Sequence, residues 1–140
     1  MLLRRPPADY LAFARGILAL SAAQVGIALN RVPACAAALG VPVAGGNTAR
    51  VTAPPPPAEV ERASRVARRL ASAFGERNHC LRHSLVMGHL LRAHSPVLCF
   101  GVRRENSEVV GHAWVEVGGA AVGRYSAADT GAFVLLRRAS

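Results

Sequence analysis

Two residues in this sequence have the types and spacing for nucleophilic chemistry. Cys80 stands in "ERNHCLRHSLVMGHLLR" (76–92), and His112 stands thirty-two residues later in "GHAWVEV" (111–117). A thiol attacks as its thiolate, and a helix N-terminus and a nearby imidazolium both favour that form. The pattern predicts that Cys80 falls in the opening turn of a helix capped by Asn78. The backbone N–H groups of that turn suit an oxyanion hole. His112 falls mid-strand, where packing on both sides fixes the position of a general base. Each residue also has a plain structural reading: a helical cysteine is often a core filler, and a strand histidine is often structural. The pair gains its weight from context, a helix N-terminus followed by a strand hairpin with the base on the second strand.

The neighbours of the pair fill several roles. Period-two alternation puts Val110, His112, Trp114 and Glu116 on one strand face and Gly111, Ala113, Val115 and Val117 on the other. Trp114 is expected to shield the imidazole or floor a substrate groove, with core packing as the alternative. His83, one turn after Cys80, is a second groove candidate. A group to orient the imidazole is harder to find. The chain has two aspartates, Asp9 and Asp129. Glu116 lies ~13 Å from His112 along an extended strand, too far for direct contact. Asn78 and Asn106 are further candidates, as an asparagine serves in papain-like proteases. Gln24 is a remote candidate for a side-chain oxyanion donor. "HCLRH" with Cys99 and His112 lacks the paired spacing of a closed zinc site, so no metal is expected.

The elements that must hold these residues follow from periodicity. Residues 8–29 read as one helix, with Tyr10, Phe13, Ile17, Leu20, Ala23 and Ile27 at three- and four-residue steps and Asp9 in the first turn. Residues 32–39 read as a short helix, with Pro33 at its start and Gly40 past its end. "GGN" and "APPPP" make 41–57 a connector. Residues 58–74 are amphipathic, with a stripe of Val60, Ala63, Ala67, Leu70 and Phe74, arginines off it, and a Glu61–Arg65 pair. The Cys80 helix is predicted over 79–94, followed by strands at 96–104, 109–117, "AAVG" and 132–136. Helices first and a small antiparallel meander after make an α+β pattern. The 140 residues read as a single domain: a helical part (1–50), a Pro-rich connector (51–57) and a Cys-His core (58–140).

Composition narrows the partners. The net charge is +9, carried by 17 basic residues, all arginine. That balance favours anionic partners. The absence of interleaved aromatics, zinc-finger spacing and a clear helix-turn-helix sets nucleic acid aside. Three widely spaced cysteines, Cys35, Cys80 and Cys99, make no disulfide framework, and a reducing cytoplasm fits them best. Arg15 interrupts the apolar N-terminal stretch, leaving the 14 residues from Gly16 to Leu29, too few to cross a bilayer. An internal helix, or one in peripheral contact with a membrane, is the expectation.

"NHCLRHSLVMGHLLR" and "PVLCFGVRRENSEVVGHAWVEVGG", at this spacing, resemble the lasso peptide B2 proteins. These are leader peptidases with a transglutaminase-like, papain-like cysteine-protease fold. The resemblance covers 58–123 well and the N-terminal part loosely. It implies that Cys80 attacks the bond between leader and core of a ribosomal precursor peptide while His112 shuttles the proton. It also implies a separate PqqD-like leader-binding protein, a separate lasso cyclase as the ATP user, and no cofactor in this chain. The family carries an aspartate near position 124, where this sequence has Arg124. Asp129 in "SAAD" is then the candidate third member. Two other readings stay open: a catalytically impaired homologue that acts as a binding scaffold, and a Cys-His acyltransferase.

Overall fold

The computed structural model describes residues 7–44, 53–75, 77–123 and 134–135. Four α-helices, α1 (Pro7–Ala28), α2 (Val32–Ala38), α3 (Pro57–Ala71) and α4 (His79–Leu90), precede the strands. These are β1 (Val97–Glu105), β2 (Glu108–Val117), β3 (Ala120–Ala121) and β4 (Val134–Leu135). Short 3-10 turns extend α3 over Ser72–Phe74 and follow α4 over Arg92–His94. The predicted helices 58–74 and 79–94 are therefore each an α-helix with a 3-10 tail. The order of helices before strands and the antiparallel pairing give the expected α+β class.

The sheet order is β3-β2-β1-β4. β1 and β2 form a long hairpin in which Gly101 is paired with His112 and Cys99 with Trp114. Asn106 and Ser107 turn that hairpin with φ of 49° and 70°, the positive pair that a two-residue turn matched to strand twist requires. Gly118 and Gly119 do the same between β2 and β3, at 60° and 84°. The expected meander holds only for three strands: β4 pairs with β1, on the far side of the hairpin. Periodicity predicts a strand but not its edge, because pairing partners are chosen by tertiary packing.

The core lies between the helices and one face of the hairpin. Leu85, Val86, Met87 and Leu91 of α4 meet Ala19, Leu20 and Ala23 of α1, Ala63 and Ala67 of α3, and Leu98, Ala113 and Val115 of the sheet. α4 is thus buried on several sides. The connector contributes too: Val41 is fully buried and Val43 forms a parallel bridge with Leu98. Phe74, expected on the buried stripe of α3, is instead 47% exposed. It carries the Arg82 guanidinium 5.5 Å above its ring, a cation–π contact. Arg65 lies 3.8 Å from Asp9 and Arg62 2.8 Å from it. Asp9, rather than Glu61, is therefore the partner shown for Arg65, and it ties α1 to α3.

Candidate active site

Cys80 is the second residue of α4 and is half-buried, packed against the rim of the core. Asn78 occupies the N-cap position, but in a left-handed conformation (φ 58°) and with no side-chain capping bond. That corrects the sequence expectation. The left-handed backbone turns the asparagine side chain away from the N–H groups a β-region cap would meet. Arg82 N–H donates to the Asn78 carbonyl at 3.0 Å. The N–H groups of the first turn before it lie outside the intrahelical ladder, as in any helix.

His112 is half-buried in β2. Its ring stacks on Trp114, centroids 5.9 Å apart and planes 23° from parallel. Trp114 Nε1 donates to Glu116 Oε2 at 2.8 Å, and Cys99 Sγ donates to the same oxygen at 3.0 Å. The alternation read from sequence is therefore present, and it is connected. Glu116 holds the indole on which His112 rests. Burial, with the Glu116 hydrogen bond and charge adding to it, pushes the Cys99 thiol far up; burial alone raises that of Cys35. Both are held as neutral thiols. Trp114 is only 2% exposed, and so is His83, whose ring lies 6.3 Å from that of His79. Both expected groove residues are thus buried.

Besides the apolar packing, the cysteine helix is joined to the histidine strand by Ser84, which sequence reasoning passed over. Ser84 is 2% exposed and its hydroxyl donates to the Ala113 carbonyl at 3.1 Å. Carbonyl directions alternate along a strand, so that of Ala113 points the same way as that of Val115, which accepts Val122 N–H at 3.0 Å on the β3 side. Ser84 therefore meets β2 on its β3 edge. Cys80 is one helical turn before Ser84 on the same face, ~6 Å along the axis. His112 is the residue next to Ala113. The bond fixes α4 on β2 one turn beyond Cys80, while the His112 side chain lies on the face of the strand opposite to that of Ala113. The signal available in the sequence was a serine at i+4 from the cysteine among apolar neighbours.

Gln24 is brought to the same end of α4. Its Oε1 accepts Arg82 Nε at 2.6 Å, and Arg82 also donates to the Arg77 carbonyl. The carbonyl side of the amide is thereby engaged, leaving the NH2 as its donor. Asn106 sits at the distal hairpin turn, well along the strand from His112. Asp129 and Arg124 lie outside the described residues. Among the described residues no cluster of three His, Cys, Asp or Glu side chains stands close enough to hold a metal ion.

Residues 23–138 match the family described as Transglutaminase-like superfamily. No curated protein and no solved structure matches significantly. Cysteine proteases and acyltransferases are the enzymes usual in that superfamily. With a match that runs from within α1 to beyond β4, the chain belongs to the Transglutaminase-like superfamily.

Proposed function

We propose that this protein is a cysteine peptidase that removes the leader from a ribosomally made lasso peptide precursor. Cys80 attacks the scissile carbonyl and His112 accepts the thiol proton. The same proton then goes to the leaving amine, which becomes the new N-terminus of the core peptide. Water, deprotonated by His112, hydrolyses the thioester to the leader and restores the thiol. Backbone N–H groups in the first turn of α4 face the developing oxyanion, and Gln24 is a side-chain candidate beside them. A separate leader-binding protein presents the precursor, and a separate ATP-using cyclase takes the product.

What supports the reading is the superfamily match over residues 23–138, with Cys80 in the first turn of α4 and His112 in a strand of the hairpin that α4 packs on. The sequence resemblance over 58–123 supplies the substrate class. Arg124, where the resemblance expects an acid, supports a second reading in which the protein binds precursor and cyclase without cleaving.

The test is incubation of the precursor with this protein and the leader-binding partner, read by mass spectrometry. Cleavage by the native chain and none by Cys80→Ala is the expected result. In parallel, iodoacetamide at neutral pH should label Cys80 ahead of Cys35 and Cys99, which are held as thiols. Equal cleavage by Cys80→Ala rejects the enzyme reading. Precursor binding without cleavage by the native chain selects the scaffold.

A further inference from the structure

α1 is built inside out. Its buried residues are mostly small: Gly16, Ala19, Leu20, Ala23 and Gly26. Most of its large apolar residues face outward. Tyr10, Leu11, Leu18 and Leu29 are 61–63% exposed, Val25 is 58% and Ile17 is 47%. Leu11, Leu18 and Val25 recur every seven residues, and Ala14, Ser21 and Ala28 fall between them on the same exposed face. A helix of a water-facing protein normally buries its large apolar side chains. Small residues inward and large ones outward is the arrangement of helices that pack against protein on one side and lipid on the other.

Arginines border the N-terminal half of this face on both sides. On one flank Arg65 and Arg69 line a cleft of about 540 Å³ with Tyr10, Phe13, Val66 and Asp9. On the other, Arg15, Arg62 and Arg92 border a groove of about 430 Å³ that reaches Leu11. Two carboxylates face these clefts, and both are engaged. Asp9 is held by Arg62 and Arg65, and Glu59 lies 3.1 Å from His94. Arg15 and Arg69 have no carboxylate partner among these flanking groups, so the rim is net positive.

We propose that the outward face of α1 seats on an anionic lipid surface, with Leu11, Leu18 and Val25 among the acyl chains and the flanking arginines on headgroup phosphates. The charge argues against a second copy, since pairing along α1 would bring two chains of +9 together with arginine rims opposed. α1 is also long and apolar enough, by length and composition, to cross a bilayer. The expected limit of 14 apolar residues fails because Arg15 sits on the helix without ending it. Crossing, however, would require α1 to leave the core residues Ala19, Leu20 and Ala23 that pack it on the domain. A surface seat keeps them in place. This inference is independent of the thiol chemistry.

The test uses the full chain in sedimentation with vesicles of equal parts phosphatidylcholine and phosphatidylglycerol, and of phosphatidylcholine alone. The native chain should pellet with the anionic vesicles, stay in solution with the neutral ones, and be released by high salt. Leu18→Glu/Val25→Glu should abolish pelleting without lowering the melting temperature, since both sites are exposed. Arg65→Gln/Arg69→Gln should bind roughly thirtyfold more weakly, the ~2 kcal/mol of two basic residues at such a surface; it decides alone if the first variant is unstable. Absence of anionic-vesicle binding overturns the proposal, whether the face then joins two copies or takes an acidic protein. Equal binding by the variants, or binding that high salt does not reverse, overturns it as well.

Discussion

Ser84→Ala removes one hydroxyl and tests the link between the cysteine helix and the histidine strand. The bond it breaks is buried, with Ser84 2% exposed and the Ala113 carbonyl 3.1 Å away. No water replaces the lost donor, so the carbonyl forfeits a partner at a cost of ~1–3 kcal/mol. Alanine is the better helix former by about 0.5 kcal/mol, which leaves a net loss of about 1–2 kcal/mol. For a chain of this size that lowers the melting temperature by roughly 3–8 °C. Ser72→Ala is the control. Its hydroxyl donates to Arg68 O over a shorter distance, 2.6 Å, but at an exposed site, so water takes over and the change should stay within about 0.5 kcal/mol. Calorimetry of the two variants decides. Under the proposed activity, Ser84→Ala should also lower kcat by about tenfold to a hundredfold with little change in KM, because the reacting groups lose alignment rather than binding area. If Ser84→Ala melts with the native protein, or if Ser72→Ala costs as much, the bond does not hold α4 in place and the reasoning fails.

Two further outcomes concern the same helix and sheet. A methyl added at Gly88 would lie 2.5 and 2.6 Å from the γ carbons of Val41, against about 3.5–4.0 Å for comfortable contact. Gly88→Ala should lose up to about 2 kcal/mol despite its helix propensity. Combining it with Val41→Ala should show a coupling above about 0.5 kcal/mol in a double-mutant cycle, and strict additivity would refute the contact. The raised thiols of Cys99 and Cys35 make the second case. The unfolded chain ionises its thiols near the ordinary value of 9.0 while the folded one keeps these two neutral. Their contribution is therefore full below that pH and declines as pH rises past it. Cys99→Ser keeps a hydroxyl for Glu116 and removes the titration, so urea unfolding should show a shallower loss above pH 9.0; an unchanged slope would refute the assignment.

The elements themselves were legible in the sequence because their causes are local. Apolar residues at three- and four-residue steps marked α1 and α3, and Pro33 and Gly40 bracketed α2. Strict alternation in "VVGHAWVEV" put His112, Trp114 and Glu116 on one face, where the structure has them. Helix entry at Cys80 was legible for the same reason, as a break at Gly75 followed by an apolar pattern. The Asn78 expectation failed in detail because an asparagine suits a left-handed turn as well as a cap, and residue type does not separate the two.

Only the tertiary structure decided what meets what. Gln24 and Arg82 are 58 residues apart, Asp9 and Arg62 53, Ser84 and Ala113 29. No periodicity carries such pairings, because each depends on how α1, α3 and α4 are stacked on the hairpin. The same holds for the strand that returns to β1 rather than β3, for the burial of Trp114 and His83, and for the large apolar face that α1 turns outward. A sequence states which side chains belong on one face of an element. Which face is covered, and by what, follows from packing whole elements together, a choice made by the summed burial of the chain and not by any local stretch of it.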